Sequence, residues 1–214
     1  MAKAVIAEEP CAIVIGLSID TKVADLVQIA PDDFSKRSRD AIEDNINAKY
    51  ANRVIQSIGL CICLYDLLWA SEGLIGHGDG LVNVNVEFRI IVFRPFRGEV
   101  MLGRIRSSTP QGVYLRTDFF DDIFIDCDNL PAGVEYDHQN QNWVWSYEDP
   151  DSGSVENLIM DNNEMVRFQV IDEEWHDQTP DGPSQADDPN LRKAPYKIKG
   201  SMAKEGLGIC YWWD

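Results

Sequence analysis

Asn83-Val84-Asn85-Val86-Glu87-Phe88-Arg89-Ile90-Ile91-Val92-Phe93, followed at once by Arg94-Pro95-Phe96, decides how this chain is built. The first half alternates polar and apolar residues, and the second half turns apolar throughout, as a strand does when it runs from a sheet edge into a core. Pro95 has no N–H for a ladder and holds Arg94 extended, so the strand ends there and the chain leaves the sheet. A different regime follows: residues 99–105, a Ser-Ser-Thr-Pro-Gln-Gly turn over 107–112, residues 113–117 and residues 122–125 read as three short strands at close spacing. That is the opening of a small β-barrel. The joint therefore predicts an α+β protein, a mixed α/β half followed by an all-β half.

Upstream of the joint, residues 18–29 read as a strand. Pro31-Asp32-Asp33 reads as a helix start, with Phe34, Ile42, Ile46 and Tyr50 along one side, and residues 54–68 as a second strand buried at Leu60-Cys61-Ile62-Cys63-Leu64. Ser38 and Asn45 thin the helical stripe, which suits a helix lying on a sheet. Downstream, residues 127–163 form a long acidic insertion in which Trp143 and Trp145 share one face of a hairpin added to the barrel. Residues 165–171 alternate as a strand, with Val166, Phe168 and Val170 to one side. Residues 178–195 are nearly devoid of apolar side chains and read as a flexible loop, and residues 196–202 and 208–213 close the barrel. Five principal strands with a long excursion after the third predict an OB-fold. The expected division is an N-terminal extension over 1–18, an α/β domain over 19–95 and a barrel over 96–214.

Charge is distributed unevenly. Residues 1–117 carry 13 Lys/Arg and 14 Asp/Glu, residues 118–190 carry 1 and 20, and residues 191–214 carry 5 and 2. The net −17 thus belongs to one interior segment, which suits contact with basic protein partners, and it leaves the basic residues elsewhere able to face nucleic acid. Five cysteines without framework spacing predict a reduced, intracellular setting. No apolar run approaches the roughly 18–20 residues that span a bilayer, so no membrane role is expected.

Catalytic patterns are weak. Gly76-His77-Gly78-Asp79-Gly80 lacks the Lys-Ser/Thr and the following helix of a phosphate loop and reads as a turn. Cys61-Ile62-Cys63 has no second pair at zinc spacing. Asp118, Asp121 and Asp122 invite an acid/base reading and a rival identity as a hydrolase, but fit a solvated acidic face better. Arg104, Tyr114, Arg116 and Phe120 are instead the candidate RNA-binding residues, since the second and third strands of an OB barrel offer rings for base stacking beside arginines for phosphate. Phe119 and Phe124 belong to the same aromatic group, with core packing equally open to them.

From about Ile19 to Trp213 the chain resembles the stalk subunits of eukaryotic and archaeal RNA polymerases, in which a ribonucleoprotein-like domain precedes an OB-fold. Phe93-Arg94-Pro95-Phe96-Arg97-Gly98-Glu99-Val100 is similar to that family's interdomain signature. Gly59-Leu60-Cys61-Ile62-Cys63-Leu64-Tyr65-Asp66, Phe119-Phe120-Asp121-Asp122-Ile123, Trp143-Val144-Trp145 and Gly206-Leu207-Gly208 with Trp212-Trp213 resemble the RNA polymerase III branch. The family pattern starts near Ser18, so the preceding residues are additional. The resemblance implies a nuclear, non-enzymatic subunit without cofactor or metal. It implies a heterodimer with a helical stalk partner, docking on the RNA polymerase III core through the tip Gly78-Asp79-Gly80, and contact of the barrel with initiation factors and, weakly, with single-stranded nascent RNA. Alternatives are the RNA polymerase II stalk subunit and a free-standing OB-fold RNA-binding protein.

Overall fold

In the computed structural model, which describes residues 17–76, 78, 80–148, 155–178 and 194–213, the alternating stretch that ends at Phe93 is the centre of an antiparallel sheet. Strand β5 (Val82–Phe93) lies between β1 (Leu17–Ile29) and β3 (Gly59–Ala70), with β2 (Arg53–Ile55) beyond β3 and the short β4 (Leu74–Ile75) also on β5. Alternation sends Val84, Val86, Phe88, Ile90 and Val92 to one face, where they are buried with Val27 and Ile29 of β1. Helix α1 (Ser38–Tyr50) covers that face with Ala41, Ile42 and Ile46. Hydrophobic burial is supplemented by specific ties: Asn47 accepts the Leu64 N–H at 2.8 Å, and Lys49 and Tyr50 both donate to the Asp25 carboxylate.

Two expectations about this half are corrected. The helix does not open at Pro31: residues Pro31–Ser35 form a 3-10 turn, Lys36 and Arg37 are extended, and α1 begins at Ser38, which leaves Phe34 half exposed. Proline and two aspartates suit the first turn of either helix type, so the signal was right and its continuation wrong. The strand read over 54–68 is two strands, β2 and β3, joined by a tight turn in which Ser57 has φ 63°, and β3 opens on Gly59 at φ 146°. A Cβ on Gly59 would stand 2.7 Å from the Phe93 carbonyl oxygen, so glycine is required there. Register irregularities on β3 against β5, one of them between Cys61 and Cys63, let Cys61 be fully buried while Cys63 is only partly so.

The second half is the expected barrel. Strands β6 (Val100–Thr109), β7 (Gly112–Arg116), β8 (Ile123–Asp126), β12 (Met165–Trp175) and β13 (Tyr196–Ser201) form a sheet in the order β13-β8-β7-β6-β12, closed by pairing of β13 with β12. This is the Greek-key closure of the OB type. Met101, Ile105, Val113, Leu115, Ile123, Ile125, Val166, Phe168 and Val170 point inward and are buried. The β6–β7 turn is tighter than expected, since residues 107–109 continue β6 and the chain reverses at Pro110 and Gln111.

The insertion is a three-stranded sheet, β11-β10-β9, and not a hairpin: β9 (Val134–Asp137), β10 (Asn142–Glu148) and β11 (Val155–Met160). Strand β9 is four residues long and half acidic, which hid it from the apolar pattern. Trp143 is buried and its indole N–H donates to the Thr109 carbonyl at 3.1 Å, while Trp145 meets Trp212 with ring centroids 5.0 Å apart. The last expected strand is brief: β14 (Gly208–Ile209) pairs with β12, and Cys210–Trp212 turn as a 3-10 helix.

By packing, one unit comprises Arg97–Ile171 and Gly200–Asp214, and the other comprises Gly16–Phe96 and Asp172–Lys199. The distal ends of β12 and β13 thus belong with the first sheet, and Arg94 holds them. Its guanidinium makes a two-point ion pair with Glu173, at 3.2 and 2.5 Å, donates to the Ser57 carbonyl at 2.8 Å and lies 5.7 Å from the Trp175 ring centre. Trp175 stacks on Tyr196 at 4.2 Å, and the Tyr196 hydroxyl donates to Glu173 at 3.3 Å. Most of the extension over 1–18, namely residues 1–16, and residues 179–193 of the expected loop lie outside the described residues. No helix among the described residues is long and apolar enough to cross a membrane.

Candidate nucleic-acid interface

Strand alternation that buries Ile105, Val113, Leu115, Ile123 and Ile125 necessarily turns their neighbours to the outer face of the barrel. Arg104 and Arg116 are direct cross-strand partners on β6 and β7, and Tyr114 is the partner of Phe124 on β8. The Tyr114 and Phe124 rings are tilted by 47° with centroids 4.7 Å apart. Arg106 lies over Tyr114 at 5.4 Å from the ring centre, while its guanidinium donates to the Asp121 carbonyl at 3.1 Å. Three arginines and two half-buried rings therefore occupy one continuous strip.

Arg104 and Arg116 converge on one residue. Arg104 Nη1 donates to the Asn163 backbone oxygen at 3.2 Å, and Arg116 Nη2 donates to its Oδ1 at 2.7 Å. Asn163 sits at φ 70° in the turn between β11 and β12, and its N–H reaches the Ile105 carbonyl at 2.8 Å. Asparagine tolerates this left-handed conformation better than most residues, so the turn places both of its oxygens toward the arginines.

The structure brings together three of the four residues nominated from the sequence and takes Phe120 away. A turn in which Thr117 N–H donates to the Phe120 carbonyl at 2.8 Å, and Phe120 N–H to Thr117 Oγ1 at 3.1 Å, rotates Phe120 inward, where it is 6 % exposed. Phe119 is the exposed ring of that pair, at 39 %. Phe124, read as equally suited to the core, lies outside; its position between Ile123 and Ile125 was the signal. Arg106 and Asn163 were not nominated, although Arg106 follows Arg104 at strand spacing and Asn163 ends an Asp-Asn-Asn turn.

At the expected docking tip, Gly78 and Gly80 adopt φ 95° and 68°, and a Cβ on Gly78 would meet nothing within 4 Å. His77 and Asp79 lie outside the described residues. The hairpin is closed by the Gly76 N–H on the Leu81 carbonyl at 3.1 Å, and just before it Leu74 and Ile75 are each 70 % exposed. These two side chains were missed in the sequence; an apolar pair beside a glycine-rich tip is their signal.

Among the described residues no three His, Cys, Asp or Glu side chains cluster as metal ligands. Burial pushes the Cys61 thiol up to about 11, so it behaves as an apolar core residue. Hydrogen bonding to Asp126, with burial, raises the Cys127 thiol as well, the opposite of what a nucleophile needs.

Comparison with known proteins agrees with this architecture in both halves. Residues 99–213 match the family described as RNA polymerase III subunit Rpc25, and residues 24–80 match the SHS2 domain found in the N terminus of Rpb7p and Rpc25p. The chain is 41 % identical to the DNA-directed RNA polymerase III subunit rpc8 of Schizosaccharomyces pombe, over 90 % of this chain and 98 % of that one. It is 38 % identical to the DNA-directed RNA polymerase III subunit RPC8 of Bos taurus, over 90 % and 96 %. The DNA-directed RNA polymerase II subunit rpb7 of Schizosaccharomyces pombe is 20 % identical, over 68 % and 80 %. The resemblance drawn from the motifs is thereby borne out, and the chain belongs to the RNA polymerase III branch of the stalk-subunit family, the Rpc25 family.

Proposed function

We propose that this chain is a non-catalytic subunit of the nuclear RNA polymerase III, acting in promoter-dependent initiation. It forms the stalk heterodimer with a helical partner subunit, docks on the polymerase core through the tip at Gly78–Gly80, and offers its barrel to initiation factors and nascent single-stranded RNA. The observation that carries this reading is similarity over about nine-tenths of the chain, in both halves, to polymerase III subunits. The polymerase II alternative is disfavoured by the lower identity and shorter match to that subunit.

The geometry supports the two contact roles. Leu74 and Ile75 add an exposed apolar pair beside the glycine tip, and burying the 70 % of each that is exposed would contribute about 2–4 kcal/mol before the costs of association. Arg104, Arg106, Arg116 and Tyr114 supply phosphate and base contacts on the barrel. The 20 acidic residues over 118–190 oppose phosphate, so RNA affinity is modest and falls with salt. Affinity purification of the tagged chain from native cells tests the proposal. Recovery of polymerase III-specific subunits is expected; eluates carrying only polymerase II, or no polymerase, would refute it.

A further inference from the structure

Like charges placed directly opposite on adjacent strands destabilise a sheet, yet Arg104 and Arg116 are such a pair. Seven other cations, Lys22, Lys36, Arg39, Lys49, Arg89, Arg94 and Lys199, each meet a carboxylate, while Arg106 and Arg167 donate to backbone carbonyls. Among the described residues Arg104 and Arg116 meet no carboxylate, in a protein with 36 acidic and 19 basic residues. What they share is Asn163, a neutral residue that accepts one hydrogen bond from each and so draws two cations together. A guanidinium has five N–H donors, so four on each remain for a ligand.

The ligand that this arrangement fits is compact and carries more than one negative charge. An internal phosphodiester brings a single charge and satisfies one guanidinium. A terminal di- or triphosphate brings several charges within the span of one residue and can accept from both forks at once. The acids of that turn are held within it, Asp161 accepting from Asn142 at 2.9 Å and Glu164 accepting the Asp161 N–H at 3.2 Å, so neither pairs with the arginines although both carboxyl groups stay in the turn. Tyr114 stands two residues from Arg116 on the same face of β7, about 6.6 Å along the strand, where the first base of a chain anchored by its end would stack. Arg106 already backs that ring.

We propose that Arg104 and Arg116, drawn together by Asn163, form a site for the 5′-terminal polyphosphate of a single-stranded RNA. This rests on the RNA-binding reading of the barrel face and adds which part of the RNA the face selects. The test is fluorescence anisotropy of the full chain with three RNAs of one sequence, bearing a 5′-triphosphate, a 5′-monophosphate or a 5′-hydroxyl. The triphosphate RNA is expected to bind about tenfold more tightly than the hydroxyl RNA, with inorganic tripolyphosphate competing and the advantage shrinking as salt rises. Arg104→Gln and Arg116→Gln should each remove most of that advantage. Asn163→Gly, which suits φ 70° and keeps the turn, should reduce it about threefold by freeing Arg116.

Equal binding of the three RNAs would overturn the end site and leave the RNA face standing, whereas binding of none would overturn both. Tighter binding of a phosphoserine peptide than of triphosphate RNA would overturn the assignment to RNA. Should a glutamine variant fail to fold, the three-RNA comparison on the parent chain and the Asn163→Gly variant still decide.

Discussion

Replacing Arg94 by alanine should unfasten the ends of β12 and β13 from the first sheet. The side chain makes a two-point ion pair with Glu173, a hydrogen bond to the Ser57 carbonyl and a cation–π contact with Trp175. Arg94 is 42 % exposed and Glu173 22 % exposed at their side chains, so the ion pair is discounted for solvent to about 1 kcal/mol. The carbonyl hydrogen bond contributes about 1 kcal/mol more and the ring contact about 0.5. Truncation also strips Glu173, one of the less exposed carboxylates, of its cation. The expected loss is about 2.5–4 kcal/mol, which lowers the melting temperature by about 5–15 °C in a chain of this size. Arg94→Lys, retaining charge without the fork, should lose about half as much. Urea titration followed by tryptophan fluorescence reads both, since Trp175 is in the cluster. An Arg94→Ala variant within 0.5 kcal/mol of the parent, or a lysine variant no better than alanine, would refute the reasoning.

The Arg94–Glu173 ion pair and two other paired carboxylates, Asp66 and Asp25, set an acid limit. Arg94 holds the Glu173 carboxyl below its usual range, and Arg89 does so for Asp66; at Asp25, burial pushes upward but hydrogen bonds from Lys49 and Tyr50 outweigh it. Depressed carboxylates contribute fully above their unfolded values of about 4, and that stability is lost as pH falls through the folded values, so urea midpoints should be flat above about pH 5 and decline below it. Glu173→Gln should shallow that decline; an unchanged profile would contradict the assignment. Gly112→Ala would place a Cβ 2.0 Å from the Ile125 carbonyl oxygen at φ 150°, and should cost more than about 3 kcal/mol or abolish the barrel's cooperative unfolding. Ile46→Ala, emptying a fully buried site between α1 and the sheet, should cost about 2–5 kcal/mol by the same titration. Leu74→Ser with Ile75→Ser should leave thermal stability within about 0.5 kcal/mol, since both are mostly exposed, yet reduce co-purification with polymerase.

Where the sequence pattern was governed by a single buried face, it was readable. The strand ending at Phe93, the alternation from Val166 to Val170 and the closing strand from Tyr196 all have one side in a core, so period 2 is imposed on them. Reading failed where backbone geometry overrode composition. Nothing apolar marks the turn at Ser57 that divides β2 from β3; Gly59 was the only trace, and its need for glycine comes from a carbonyl 34 residues away in sequence. Phe119 and Phe120 are adjacent and chemically identical, and only the Thr117 turn decides which is buried. At the barrel face the arginines were visible as a cluster, but the convergence of Arg104 and Arg116 depends on cross-strand register and on an asparagine 47 residues beyond Arg116. The distal ends of β12 and β13 join the first sheet through Arg94, a long-range ion pair that no local pattern announces.

Promoter-dependent transcription by RNA polymerase III depleted of this chain, compared with the same enzyme after the chain is added back, tests the adaptor role most directly. Depletion is expected to abolish initiation at polymerase III promoters, add-back to restore it, and extension from a pre-annealed primer on a melted template to be unaffected throughout. Equal loss of primer extension, or promoter initiation indifferent to the chain, would contradict that role.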